Sequence, residues 1–126
     1  MFVSETATSR IALDDGIVVV RIRAGVAQRI ADARQNLAGA VVACGGERRP
    51  VMVDIQRAEP LTAEVRHFYM GEILTDSFVA LAMLVEGTAF GRAMGNVYLR
   101  IAQPQIPAQL FANEEEARRW LKSHLR

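Results

Sequence analysis

The chain has 126 residues, of which 51% are hydrophobic and 23% charged, and 15 Lys and Arg against 14 Asp and Glu give a formal net charge of +1. This length predicts a single domain over residues 1–126, and the apolar content excludes a disordered tail or low-complexity scaffold. The balanced charge argues against nucleic-acid binding, and the single cysteine, Cys44, excludes an internal disulfide and a cysteine-based zinc site.

The first predicted element is a β-hairpin. Apolar residues alternate with others over residues 10–13, and a β-branched strand follows over residues 17–23. Asp15 and Gly16 between them suit a type I′ turn, in which both central residues need a positive φ. Arg21 and Arg23 share one face of the second strand, so we expect that face of the sheet to be less fully covered.

A helix is predicted next, because apolar residues recur every three or four positions. The stripe consists of Val26, Ile30, Ala33, Leu37, Val41 and Cys44. The polar residues Gln28, Arg29, Asp32, Gln35 and Asn36 lie mostly off it. Gly45 and Gly46 are typical of a helix end, and Cys44 is predicted to be a small buried side chain.

Two strand–helix units are predicted in the middle of the chain. The apolar run over residues 51–55 predicts a central parallel strand, followed by a helix with Thr62 as N-cap and Glu64 in its first turn. Residues 78–85 predict a second buried strand, and Thr88 is predicted to cap a further helix. Glycines at 87, 91 and 95 are interpreted as points of close backbone approach, to the sheet or alternatively to a second subunit.

The last part of the chain predicts an edge strand over residues 108–111 and a helix capped by Asn113. Ala117, Trp120 and Leu121 are expected to pack inward. The element order ββαβαβαβα therefore predicts an α/β fold: one mixed sheet of about five strands, with an N-terminal hairpin at one side and helices mainly on one face.

This pattern resembles the SpoIIAA-like, or STAS-like, family, and the tail resembles that of an uncharacterised bacterial subgroup. The tail residues that carry this likeness are Phe111, Glu115, Glu116, Ala117, Trp120 and Leu121. The resemblance implies a non-enzymatic regulatory or protein-interaction module with an unknown protein partner, and it leaves a homodimer open. Some similarly folded proteins are suspected of binding lipid-like molecules, so a small apolar ligand is the alternative.

Thr62 and Asp54 are the candidate partner or phosphorylation sites. STAS domains that antagonise anti-sigma factors are phosphorylated at the start of the helix after the central strand, which corresponds to Thr62. Residues 59–63 nevertheless read Glu-Pro-Leu-Thr-Ala, where that group has an Asp-Ser-Ser-Gly-like stretch. Thr62 is alternatively a helix cap alone. Asp54, at the carboxyl end of a strand, either faces a ligand or accepts loop amides.

Motifs for catalysis, cofactors and metals do not occur. Glu64 and His67 form half of a di-iron pattern, but no second copy exists. No Gly-rich phosphate or dinucleotide motif is present, so we expect no enzymatic activity and no cofactor. The longest apolar run, residues 78–85, is too short to cross a bilayer, and the first residues do not resemble a signal peptide. We therefore expect a cytoplasmic protein without a membrane span.

Overall fold

A computed structural model describes residues 3–69, 76–87 and 106–125. The strands within these ranges are β1 (Val3–Glu5), β2 (Ser9–Asp14), β3 (Ile17–Ile22), β4 (Arg49–Asp54), β5 (Phe78–Leu84) and β6 (Ala108–Phe111). The helices are α1 (Ile30–Ala43), α2 (Ala63–Tyr69) and α3 (Glu114–Lys122).

The six strands form one mixed sheet, in which their spatial order is their order along the chain. The first three strands are antiparallel, and β3 to β6 are parallel to one another. Asp15 and Gly16 between β2 and β3 have φ values of 55° and 79°, as the predicted type I′ turn requires. The fold class and the hairpin are therefore confirmed.

Helices cover both faces of the sheet. α1 and α2 pack on the face that carries Val18, Val20, Val51 and Val53. The opposite face carries Ile17, Val19 and Met52, together with Ala80, Ala82 and Leu84, and packs against Ala117 and Leu121 of α3. This alternation along each strand follows from the two-residue period of a β-strand.

α3 is held as its sequence predicts. The Asn113 side-chain carbonyl accepts the backbone N–H of Glu116 at 3.1 Å, and Ala117 and Leu121 are fully buried. The ring of Trp120 packs against that of Phe111, with 5.6 Å between centroids. Phe111 closes β6, which is an edge strand as predicted.

The sheet has six strands rather than about five, because β1 adds to the hairpin. Its three residues carry no periodic signal. α1 begins at Ile30, so Val26 precedes the helix. The helix predicted from Thr88 lies outside the described residues, as do Gly91 and Gly95.

Gly39 marks the close approach of α1 to the sheet. A Cβ atom at this position would lie 2.5 Å from Cδ1 of Ile11, which is fully buried in β2. A side chain at position 39 would therefore require Ile11 or helix α1 to shift. Close packing by a glycine does occur in this fold, although the sequence interpretation placed it elsewhere.

Three polar residues predicted to lie mostly off the apolar stripe of α1 are buried. Gln28, Asp32 and Asn36 are exposed by only 6%, 7% and 1%. The Asp32 carboxylate accepts the backbone N–H of Arg29 at 2.9 Å. A polar side chain can be buried where it finds hydrogen-bond partners, and the hydropathy pattern of a helix does not show where such partners lie.

Candidate functional site

The predicted site residues Asp54 and Thr62 lie at the same edge of the sheet, where the parallel strands end. Asp54 is the last residue of β4, and Thr62 immediately precedes α2. Within the described part of the chain, no hydrogen bond or ion pair joins the two side chains directly. Each is held by its own neighbours, and the loop of residues 55–62 connects them.

Asp54 bonds to both its loop and a neighbouring strand. Its Oδ1 accepts the backbone N–H of Gln56 at 3.0 Å, as expected for an aspartate that accepts a loop amide. Its Oδ2 lies 2.9 Å from Nη1 of Arg21, the residue beside it in β3. Both carboxylate oxygens are therefore engaged.

Arg21 belongs to a chain of ion pairs across the face that α3 covers. Its Nη1 lies 2.8 Å from Oε1 of Glu114, and Oε2 of Glu114 accepts a hydrogen bond from Nε of Arg118 at 3.0 Å. Arg118 in turn lies 2.9 Å from Asp14. The hydrogen bond from Arg21 lowers the pKa of the Glu114 carboxyl, with a smaller contribution from Arg118. These pairs fix α3 against β2, β3 and β4.

Thr62 is exposed and caps α2. Its Oγ1 accepts the backbone N–H of Val65 at 3.3 Å, which is the geometry of an N-cap. The capping interpretation is therefore confirmed as a structural role. Phosphorylation of this hydroxyl stays a prediction.

The loop of residues 55–62 is held by backbone hydrogen bonds. The Arg57 carbonyl accepts from the Gly25 N–H at 2.9 Å, and the Glu59 N–H donates to the Val26 carbonyl at 3.0 Å. The Ile55 N–H donates to the Leu84 carbonyl at 3.0 Å. The side chains of Arg57, Glu59, Pro60 and Thr62 are nevertheless exposed. The loop thus presents side chains to solvent from an ordered backbone.

A buried polar cluster lies beneath α1. Asn36 accepts at Oδ1 from the hydroxyls of Thr6 at 2.6 Å and Ser9 at 2.8 Å. Its Nδ2 donates to the Gln28 carbonyl at 3.1 Å and to the Tyr69 hydroxyl at 3.3 Å. The cluster therefore joins the β1–β2 connection, the segment before α1, and α2.

Tyr69 and Gln28 complete this cluster. The Tyr69 hydroxyl donates to Oε1 of Gln28, and burial raises the pKa of Tyr69. Nε2 of Gln28 is buried, and none of the described residues gives it a hydrogen-bond partner. The donors and acceptors are neutral amides and hydroxyls, so the cluster suits structural support rather than proton transfer.

An apolar groove lies between α1 and α2. This open groove has a volume of about 530 Å³, and the described residues that line it are Arg34, Leu37, Ala38, Val41 and Phe68. The Arg34 guanidinium carbon lies 6.0 Å from the centroid of the Phe68 ring. The four lining positions on α1 follow helical spacing. Of these, the sequence interpretation assigned only Leu37 and Val41 to the core.

The remaining candidates for chemistry are the cysteine and any cluster of metal-ligating side chains. Cys44 is buried, and burial raises the pKa of its thiol, which favours the unreactive protonated form. Among residues 3–69, 76–87 and 106–125, no three His, Cys, Asp or Glu side chains cluster to hold a metal ion. Within the same ranges, no helix is both long and apolar enough to cross a membrane.

Comparison with known families gives a match over residues 11–125 to the family described as Domain of unknown function (DUF7793). The chain belongs to the DUF7793 family. No curated protein sequence matches this DUF7793 chain.

The solved structures place the DUF7793 chain in a wider fold group. It is similar to an uncharacterised protein of the DUF3478 family from Shewanella loihica PV-4, whose crystal structure at 2.25 Å has a SpoIIAA-like fold. The TM-score is 0.59 at 14% identity, covering 95% of this chain and 90% of the other. At that identity the likeness concerns the fold alone. The fold is therefore SpoIIAA-like, as the resemblance in the sequence implied.

Proposed function

We propose that this DUF7793 protein is a non-enzymatic STAS-like interaction module that binds a protein partner through the loop of residues 55–62 and the first turn of α2. The observation that carries the proposal is the combination of a hydrogen-bonded loop backbone with exposed side chains at the carboxyl edge of the sheet. The SpoIIAA-like fold supports a STAS-like domain.

Order in the loop favours binding for a physical reason. A partner that docks on a mobile loop must order it, at a cost that lowers the affinity. Here Gly25, Val26 and Leu84 already hold the loop backbone. Arg57, Glu59 and Glu64 supply exposed charges of both signs, and charges at the rim of an interface select among partners.

Affinity capture tests this proposal. The tagged protein is used to retain partners from a lysate of its source cells, beside an Arg57→Ala/Glu59→Ala variant. An Arg119→Ala/Glu115→Ala variant is the matched control, because it removes the same charges from exposed positions on α3. We expect one protein to be retained by the wild type and the control but not by the loop variant. Retention of nothing, or equal retention by all three, contradicts the proposal.

Regulation by phosphorylation at Thr62 belongs to the same proposal. The hydroxyl is on an exposed residue of the surface described above. Incubation with kinases from the same cells, followed by mass spectrometry, is expected to place phosphate on Thr62. Phosphate elsewhere, or none, removes the regulatory part while leaving the interaction surface to be judged by capture.

We further propose that the protein forms a homodimer, is located in the cytoplasm and has no enzymatic activity. A cytoplasmic location is checked by fractionation and a homodimer by sedimentation velocity. A reaction abolished by Asp54→Asn would overturn the non-enzymatic assignment.

The second candidate function is binding of a small apolar ligand, and the groove between α1 and α2 favours it. Its volume of about 530 Å³ is within the usual range for small-molecule sites, and four of the five described residues that line it are apolar. Native mass spectrometry of the protein as purified is expected to show an added mass that solvent extraction removes. A species of the bare chain mass alone contradicts this candidate.

A further inference from the structure

Arg34 is the charged residue in the lining of the apolar groove. Leu37, Ala38 and Val41 of α1 and Phe68 of α2 are the other described residues that line it. Arg34 is exposed, and its guanidinium lies 6.0 Å from the Phe68 ring centroid, at the outer limit of a cation–π contact. The groove therefore combines an apolar wall with one cation beside it.

The charge of Arg34 is not neutralised within the described part of the chain. Arg21, Arg49 and Arg118 each have a carboxylate oxygen within 3.0 Å. No carboxylate among the described residues comes within 4.0 Å of Arg34. A guanidinium that lies over a ring keeps its N–H donors at the edge of its plane, so these donors remain able to bind an anion.

The dimensions of the groove favour a small molecule over a protein segment. The lining on α1 extends from Arg34 to Val41, about two helical turns, with one residue from α2. A stable protein interface buries about 800 Å² on each partner, far more than the five described lining residues supply. A volume of about 530 Å³ corresponds instead to one small ligand.

We propose, resting on the second candidate function, that this groove binds a free single-chain anionic amphiphile. The hydrocarbon chain lies along Leu37, Val41 and Phe68, and the carboxylate or phosphate head pairs with Arg34. A neutral hydrocarbon would cover the wall and partly desolvate the guanidinium without a partner, which is unfavourable. An anionic head removes that penalty through a charge-assisted hydrogen bond.

Calorimetric titration of the full chain with three probes of equal chain length tests the proposal. Dodecanoate and dodecyl phosphate carry anionic heads, and dodecanol is neutral. We expect both anions to bind the wild type more tightly than dodecanol, with an affinity that falls as salt is added. Arg34→Gln is expected to weaken dodecanoate binding about tenfold, the loss of one partly exposed charge-assisted contact, and to leave dodecanol binding unchanged or slightly tighter.

Two further variants locate the site. Ala38→Trp adds a large side chain at an exposed lining position and is expected to weaken all three probes. Arg119→Gln removes an exposed arginine from α3, on the other face of the sheet, and is expected to change none of them. Circular dichroism confirms that each variant is folded before titration.

The outcomes separate this inference from the function on which it rests. If dodecanol binds as tightly as dodecanoate and Arg34→Gln changes neither, the groove binds apolar ligands but the anionic-head inference is overturned. If no probe binds, or Ala38→Trp changes nothing, both are overturned. Cosedimentation with phosphatidylglycerol vesicles in the absence of dodecanoate binding assigns the groove to a membrane surface and also overturns the inference.

Discussion

Asn36 is a polar side chain in a fully buried position. Its burial is tolerated because both the oxygen and the nitrogen of its side-chain amide have hydrogen-bond partners. Thr6, Ser9, Gln28 and Tyr69 supply partners to both ends of that amide. Removing one member of a buried network leaves the others without partners, and this costs more than the bond itself contributed. The stability of the α1 face therefore depends on Asn36 more than on a typical polar residue.

Asn36→Ala is expected to lower the free energy of unfolding by about 3 kcal/mol, because buried hydroxyls and the Gln28 carbonyl lose partners. Urea unfolding monitored by circular dichroism measures the change. Gln35→Ala, at the exposed neighbouring position of α1, is the control and is expected to change stability by less than about 0.5 kcal/mol. Equal stability of the two variants would show that the cluster is not formed in solution.

The sequence could not reveal this cluster, although it did place Asp54 at the end of a strand and Thr62 at the start of a helix. Carboxyl ends of parallel strands meet at one edge, so two residues that follow β4 fall there whatever their partners are. The face of α1 that holds Asn36 is decided by hydroxyls about thirty positions away in the chain. Helical periodicity treats Asn36 only as polar. The groove beside Arg34 likewise depends on where α2 docks.

Helix α1 approaches strand β2 closely where Gly39 lies over Ile11. Alanine at position 39 would improve the intrinsic helix propensity by about 1 kcal/mol, but its Cβ would overlap the Ile11 side chain, so that side chain or the helix would have to shift. We expect the cost of this overlap to exceed the gain in helix propensity, since Ile11 is fully buried.

Gly39→Ala is accordingly expected to destabilise the protein by about 1–3 kcal/mol. Ile11→Val removes the atom that Cβ would meet and costs about 1 kcal/mol by itself. The double variant is expected to be more stable than the sum of the two changes implies, by at least about 1 kcal/mol. Chemical unfolding of all four proteins gives the coupling, and strict additivity would contradict the close approach.

Helix α3 is fixed by ion pairs whose strength depends on pH. The folded-state pKa of Glu114 is lowered from its ordinary value of 4.5, so the stability it contributes is fully present above that value. The contribution disappears as the pH falls through the lowered pKa, where the folded-state carboxyl becomes protonated.

Glu114→Gln is therefore expected to be less stable than the wild type at neutral pH, by about 0.5–1 kcal/mol because the pair is partly exposed. The difference should narrow as the pH falls below 4.5. Urea unfolding at a series of pH values measures it, with the exposed neighbour Glu115→Gln as control. A difference that stays constant down to acidic pH would contradict the role of Arg21 as partner.

The strands at the centre of the sheet are better paired and more buried than the strand at its N-terminal edge. β4 is paired on both sides, whereas β1 is a three-residue edge strand with Val3 45% exposed. Regions with few buried contacts open at lower free energy than the centre of a sheet. The hairpin edge should therefore be locally labile while the parallel centre opens only on global unfolding.

Hydrogen exchange measured by NMR is expected to reflect this gradation. Backbone amides of β4 should exchange most slowly, at rates set by global unfolding, and those of β1 should exchange faster by orders of magnitude. Equal protection across the sheet would contradict the edge position of β1.

The overall architecture was predictable to a large extent, for physical reasons. The apolar runs at β4 and β5 are too short for buried helices and are separated by helix signals, so parallel pairing follows. The Asp15–Gly16 turn determines the hairpin register. β1 was missed because three residues show no pattern, and the face chosen by α3 was not predictable from its own amphipathicity, which is the same on either side.

The contacts of α3 with the β2–β3 hairpin span most of the polypeptide: Asp14 and Arg118 are 104 positions apart and Lys122 reaches Asp15. During synthesis the hairpin leaves the ribosome long before its covering helix exists. Until then Ile17, Val19 and Met52 lack the side chains that later shield them. A nascent or prematurely stopped chain is thus expected to be a chaperone client, prone to aggregate until translation reaches α3.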